Sequence, residues 1–258
     1  MINWLQRFWI TPVVLILGVL VWELAVAFFH IEAWILPSPS AIVLELSQSL
    51  EHLQEHVLTT LRIALMGMAM GVTIGVCFAS MFHLLPPVKK AFYPLILLSQ
   101  NIPMIALAPL LVVWFGFGDF PKLLVVAIIC FFPVTISTLD GLAQTDSMLL
   151  TYFRMSGASR WQQFIKCEWP SALPSFFSGF KLSATYSVMG AVIAEWLGAE
   201  KGLGKMMIIA SKSYATERLF VAILLVVGLS LGLFLLITIL EKGLLRKYEG
   251  RVNETQNL

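Results

Sequence analysis

The sequence predicts an all-α polytopic membrane protein: six transmembrane helices, with a cytoplasmic helical segment between the fourth and fifth. Three observations predict it. Of 258 residues, 59% are hydrophobic and only 12% charged, against about 25% charged in a soluble domain, and the mean hydropathy is +0.86. So few charges do not cover the surface of a water-soluble globule. The apolar residues also gather into six runs long enough to span, each on the order of 20 residues. Finally, the cations divide unevenly between the loops. A net charge of +2 gives no reason to expect a nucleic-acid partner.

The runs follow in order. The first is Phe8 to Phe29. Its Ala25-Val26-Ala27 mimics a signal-peptidase site, but the run is long for a signal segment and Glu23 lies beside the site, so a retained helix is expected. The second is Leu61 to Leu85. The third, Ala91 to Gly118, has no charge but holds Pro94, Pro103 and Pro109. The fourth is Pro121 to Leu139, the fifth Ser175 to Leu197, the sixth Leu219 to Leu240. Two further pieces do not span. Ser40 to Leu58 alternates Glu45, Glu51 and Glu55 with Ile42, Val43, Leu46, Leu50 and Leu53, which predicts an amphipathic helix at the outer interface. "LGAEKGLGKMMIIASKSY" reads as a glycine turn and a short helix.

Orientation follows from the cations. With the N-terminus inside, the cytoplasmic side holds Arg7, Lys89, Lys90, Arg154, Arg160, Lys166, Lys181, Lys242, Arg246, Lys247 and Arg251, and the outer side Arg62, Lys122, Lys201, Lys205, Lys212 and Arg218. That split predicts both termini in the cytoplasm. The chain is expected to be one transmembrane domain over 1–258, with a core at 60–245 and a cytoplasmic segment at about 143–174.

Within the spans, Gly67, Gly71, Gly75 and Ala79 recur every four residues, a face that lets another backbone approach. The partner backbone is either inside the same subunit or in a second copy. Gly228 and Gly232 repeat the pattern once. "SQNIPMIALAP" places Gln100, Asn101 and Pro103 near mid-membrane. Interrupted helices at that depth line cavities or are buried in protein, so these residues are candidates for the wall of a translocation path, the alternative being a simple kink. Glu23 and Glu195 are ionisable residues in spans and functional suspects for that reason; Glu195, near an outer end, is taken as a path candidate or a group reaching water. Asp140 reads as a cap or loop contact. Cys77, Cys130 and Cys167 have no disulfide or metal spacing and read as packing residues.

The segment from Met155 to Phe177 interrupts this oil. Ser159 and Gln162 fit a capping box, Gly157 before them allows a sharp turn, and a helix is expected from Arg160 to about Glu168. Trp161, Phe164 and Ile165 share one face, and Pro170 and Pro174 are expected to end the helix. An apolar stripe with aromatic anchors suits either a groove on a partner protein or the lipid interface. Here the residues resemble a known family. "GASRWQQFIKCEWPSALP" is similar to the signature loop of the inner-membrane permeases of bacterial ABC importers, Glu-Ala-Ala, three residues, Gly, then a helix near Pro-x-x-x-Pro. Gly157, Ala158, Ser159, Phe164, Pro170, Ala172 and Pro174 match, while Thr151-Tyr152-Phe153 stands in place of Glu-Ala-Ala. "LPSPSA", "APLLVVWFGFGDFPKLLVVAIICFFPVTISTLDGL" and "AEWLGAEKGLG" resemble the nitrate, sulfonate, taurine and thiamine-precursor branch.

The resemblance implies that Gly157, Ala158, Ser159, Trp161 and Phe164 form a coupling helix docked on a cytoplasmic ABC ATPase. It also implies an extracytoplasmic solute-binding protein, a second permease copy and a place in the inner membrane. The chain itself then needs no cofactor and catalyses nothing, ATP being used by the partner subunit. The expected solute is a thiamine-precursor pyrimidine, with a sulfonate, taurine or nitrate as the alternative. Three rivals are weaker. "HLQEH", His52 to His56, matches a zinc-hydrolase pattern without an obvious third ligand. "GAEKGLGKM" departs from a phosphate loop, with five residues between Gly198 and Gly204 and Met206 after Lys205. An ion-coupled carrier working alone does not account for the signature loop.

Overall fold

The computed structural model describes residues 2–256, with side chains over 10–50 and 52–246. Arg7, Lys247 and Arg251, used above for orientation, and Glu51 of the amphipathic stretch lie outside the residues whose side chains are described. The elements are α1 (Ile2–Phe29), α2 (Pro39–Leu84), α3 (Pro86–Ser99), α4 (Met104–Phe115), α5 (Asp119–Ala143), α6 (Ser147–Met155), α7 (Arg160–Gln163), α8 (Trp169–Glu195), α9 (Leu203–Lys212) and α10 (Thr216–Gln256), with a π-helical turn at Phe164–Glu168. Among the described residues there is no strand, as the all-α reading requires.

Four helical stretches among the described residues are long and apolar enough to span: Ile10–Phe29, His52–Leu84, Asp119–Ala143 and Thr216–Arg246. The expected third span is two helices, α3 and α4, bent by 103°; counted as one broken span, the pair makes five. Pro103 explains the break, since it lacks a donor and disfavours helical backbone in the residue before it. The expected fifth span is α8, 27 residues long but less apolar than the other four. Its position accounts for this. α2, α5, α9 and α10 all pack on it, and it presents Gly179 and Ser183 to the backbone of α5 and buries the small residues Ser187 and Gly190.

α2 corrects another expectation. The amphipathic stretch is helical, but it is not a separate interfacial helix: Pro39–Leu84 is one helix of 46 residues. At about 1.5 Å per residue it is roughly 70 Å long, more than twice the ~30 Å hydrocarbon thickness. Its first half therefore projects past the apolar layer, where Ile42 and Leu53 bury themselves against Val221, with Trp22 and Phe220 packed around them. Glu23 has a local role here. Its carboxylate accepts from the Ser40 amide at 3.0 Å and the Ser40 hydroxyl at 2.7 Å, which places a negative charge at the N-terminus of α2.

The main core lies between α2, α5, α8 and α10, around Ile63, Met68, Val126, Cys130, Val188 and Ile237. The glycines of α2 settle where their face packs. A methyl on Gly67 would fall 2.5 Å from Val126 Cβ, one on Gly71 would strike the Ala127 carbonyl, and one on Gly75 would lie 3.1 Å from the Phe131 carbonyl. All three neighbours are on α5, so the seam is inside one subunit. Gly228 and Gly232 face open space.

Candidate functional site

The corner between α5 and α8 is built from three capping devices. Asp146 starts α6, its side chain accepting from the Met148 amide at 2.8 Å. Gly157, at φ +75°, stops it: the Gly157 amide donates to the Arg154 carbonyl and the Ala158 amide to the Phe153 carbonyl, both at 3.0 Å. This paired closure ends a helix with a left-handed residue, which glycine adopts without strain. Ser159 then opens α7 with the expected capping box: its hydroxyl accepts from the Gln162 amide at 3.3 Å, and Gln162 Oε1 accepts from the Ser159 amide at 2.8 Å.

The apolar stripe divides in two. Trp161 is 59% exposed, but Phe164 is only 6% exposed. Phe164 packs on Leu142 and Ala172, with its ring stacked on His83 at 6.2 Å and on Trp161 at 5.6 Å. Phe164 thus anchors the corner to the bundle and is not free to enter a partner's groove. The exposed apolar row is instead on α6, where Met148, Tyr152 and Met155 lie one and two turns apart. Sequence reasoning missed this helix by comparing Thr151-Tyr152-Phe153 with a motif; the spacing of Met148, Tyr152 and Met155 carried the signal.

Pro170 and Pro174 do not end a helix. α7 passes through the π turn directly into α8, where Pro170 occupies the first turn and Pro174 lies inside. The wider turn opens the backbone ladder just where a proline has no amide to give. Glu168, the last residue of that turn, is 3% exposed. His83 Nε2 lies 2.9 Å from its Oε2, and Arg160 donates to its Oε1 at 2.5 Å.

The path candidates separate. Gln100, Asn101 and Pro103 are exposed at the α3–α4 break. Asn101 Nδ2 donates to the Leu97 carbonyl at 3.0 Å and approaches the Leu98 carbonyl at 3.4 Å, so its amide caps α3. An apolar cavity of about 570 Å³ adjoins, lined by Met104, Ile105, Met189, Val192, Trp196 and Val227, among others. Glu195 is not on such a wall, nor does it reach water. It is fully enclosed, accepting from Thr60 at 2.8 Å and from the Gly204 amide at 2.8 Å.

Residues 71–246 match the family described as the binding-protein-dependent transport system inner membrane component. The chain belongs to that family. It is a membrane-embedded, multi-pass permease subunit of an ABC importer. It is 38% identical over 71% of its length to the formylaminopyrimidine transport permease protein ThiX of Halalkalibacterium halodurans, covering 74% of that protein. Identity to the riboflavin transport system permease protein RibX of Chloroflexus aurantiacus is 34%, over 91% of this chain and 88% of that one. Identity to the putative aliphatic sulfonates permease SsuC of Bacillus subtilis is 30%, over 89% and 85%. In fold, the permease is similar to a chain of an amino acid ABC transporter crystallised with histidines, at a TM-score of 0.61 and 17% identity, covering 79% of this chain and 97% of that one.

The permease uses its enzyme-like motifs structurally. Of the His52 to His56 stretch, Glu55 is ion-paired with Lys201 and His56 Nδ1 lies 3.0 Å from the Gly202 amide. Two amides of the Gly198 to Gly204 loop, of the kind a phosphate would need, are likewise engaged: Leu203 N–H donates to Thr60 and Gly204 N–H to Glu195, each at 2.8 Å. Nearby, Arg218 donates to Glu45 at 2.7 Å and holds that carboxyl below its ordinary range.

Proposed function

We propose that this permease forms the path for a formylaminopyrimidine-type thiamine precursor. An extracytoplasmic binding protein delivers the solute, and a cytoplasmic ATPase docks on the corner formed by α6 and α7. The observation that carries the substrate is the 38% identity to a permease named for formylaminopyrimidine, against 30% to one named for sulfonates. The stretch "FFPVTISTLDGL" supports the same branch. A sulfonate or taurine is the second reading, supported by relatives named for those solutes.

The docking half rests on the exposed row of Met148, Tyr152, Met155 and Trp161. It stands on the loop that carries Arg154, Arg160 and Lys166, and positive loops stay in the cytoplasm. Both termini then face the cytoplasm. ATP is bound and hydrolysed by the separate subunit, and this chain carries no cofactor. A second copy of the permease closes the path, its apolar wall meeting the cavity beside Met104 and Ile105. The domain is the whole chain, with the core at 60–245 and the coupling segment at about 143–174.

Two experiments test this. The binding protein of the same system is titrated with formylaminopyrimidine, taurine and riboflavin, and import of each is measured in proteoliposomes. Formylaminopyrimidine is expected to bind and enter; import of taurine alone transfers the assignment to the second reading. For orientation, Arg160→Cys in a background lacking Cys77, Cys130 and Cys167 is expected to react with impermeant thiol reagents only from the cytoplasmic side.

A further inference from the structure

We infer that Glu168 is a positioning residue for energy coupling: its carboxylate ties the docking corner to the end of α2, so that movement of the corner moves that helix. The inference rests on the proposal that the corner receives the ATPase. Only two acidic side chains are buried among the described residues, Glu168 and Glu195. Each binds α2, one near the end at His83, the other at Thr60. The longest helix among the described residues is therefore gripped by a carboxylate at both ends of its apolar stretch.

At the Glu168 end, both oxygens are engaged by different elements. Arg160 is the first residue of α7 and half exposed; His83 is in the last turn of α2 and largely covered. A carboxylate only accepts hydrogen bonds, so the His83 proton is on Nε2. The apolar cluster of Phe164, Leu142 and Ala172 already holds the corner against the bundle. A carboxylate there is costly to bury unless paired, and packing alone does not call for it. What it adds is direction. Charge-assisted hydrogen bonds are short and fixed in geometry, and they resist pulling as well as pushing, whereas apolar surfaces slide. The ring column from His83 through Phe164 to Trp161 runs alongside and bears compression. Together they join exposed docking side chains to a helix that crosses the molecule.

The test uses the whole importer in proteoliposomes, with ATP hydrolysed per solute imported as the readout, because a merely structural role does not change that ratio. Glu168→Gln keeps the shape but removes the charge. We expect the ATPase to co-purify at the parental yield and to hydrolyse ATP, while the ratio rises on the order of tenfold, the scale on which mutations between coupled sites act. His83→Asn should do the same, and His83→Arg, which again reaches the carboxylate with a donor, should return the ratio toward the parental value. Should Glu168→Gln fail to insert, the two His83 variants carry the test alone. A parental ratio in Glu168→Gln, or in His83→Asn where that variant is the only one available, overturns the inference. Tyr152→Asp separates it from the docking proposal. If that variant still binds the ATPase, docking on this corner is wrong and the inference falls with it. If it releases the ATPase while the Glu168 and His83 variants couple normally, only the inference falls.

Discussion

Thr60 on α2 and Glu195 at the end of α8, 135 residues apart, share an enclosed hydrogen bond of 2.8 Å. Thr60 is also an acceptor there, taking the Leu203 amide at 2.8 Å, while the Gly204 amide goes to Glu195. The first turn of α9 thus delivers two of its otherwise orphaned N–H groups to side chains on α2 and α8. The carboxyl group lies at the N-terminus of α9, the positive end of the helix. Gly202 and Gly204 make the approach possible, since a methyl at either would collide with Glu195.

Thr60→Val keeps the shape and removes the hydroxyl. It leaves a buried carboxylate short of one donor and the Leu203 amide without an acceptor, each costing about 1–3 kcal/mol. The expected outcome is a clear fall in thermal stability of the detergent-solubilised permease, with Thr60→Ser close to the parent. Equal melting of Thr60→Val and the parent would show that these hydrogen bonds do not hold α9 to α2 and α8.

The glycine seams make a paired prediction. At Gly71 a side chain meets the Ala127 backbone and Cys130, and backbone does not yield as a flexible side chain does. Gly71→Leu should therefore cost more than the ~1–3 kcal/mol of ordinary overpacking and lower the amount of folded permease in the membrane. Gly228→Leu, facing open space, should leave the fold of the single chain intact. Membrane yield and thermal melting of the two variants check this; similar losses in both would show that α10 also has a close partner at Gly228.

The spans that face lipid were legible because their oil is continuous, and the capping box of Ser159 and Gln162 because its chemistry is local. α8 and α2 were harder for opposite reasons. α8 was legible as a run, but its polar and small residues reflect neighbours that only the fold supplies. In α2 the change from amphipathic to wholly apolar resembles a boundary, yet "LTTLRI" contains no glycine or proline to stop a helix, and the change marks where one helix enters the apolar layer. Glu195 is legible as an ionisable residue in a span, but its partners, Thr60 and Gly204, are set by tertiary packing. Glu168 lies within the signature loop, but its role is not legible there, because its partner His83 is 85 residues away and outside any motif.

Asn101 tests the broken span. Its amide holds carbonyls at the end of α3, and its carbonyl oxygen stays available at an exposed break. Asn101→Leu frees those α3 carbonyls and removes the polar group from the break. Uptake should fall while the ATPase still co-purifies. Parental uptake by Asn101→Leu would reduce Asn101 to a helix-end residue and leave Gln100 and Pro103 as the path candidates of this segment.

The docking corner gives the last prediction, and the structure changes which variants test it. Gly157 has a positive φ, and a Cβ added there meets nothing within 4 Å. The permease alone therefore tolerates Gly157→Trp at the cost of backbone strain, about 1–2 kcal/mol for a non-glycine residue in that region. In a complex the same indole would project from the turn between α6 and α7, where the proposed function places the docked ATPase. Gly157→Trp should insert normally yet abolish ATP-driven uptake. Tyr152→Asp and Met155→Asp should act in the same way by charging the exposed row on α6. Phe164→Asp belongs to a different class. Phe164 is buried against Leu142 and Ala172, so an aspartate there places an unpaired charge inside the bundle, and the loss should appear first as poor expression or low thermal stability of the permease alone. Membrane yield, ATPase co-purification and uptake, measured on all four variants, separate the two classes. Should Gly157→Trp and Tyr152→Asp both import at the parental rate, the corner is not the docking site, and Trp161 and Met155 would be better understood as anchors in the lipid interface.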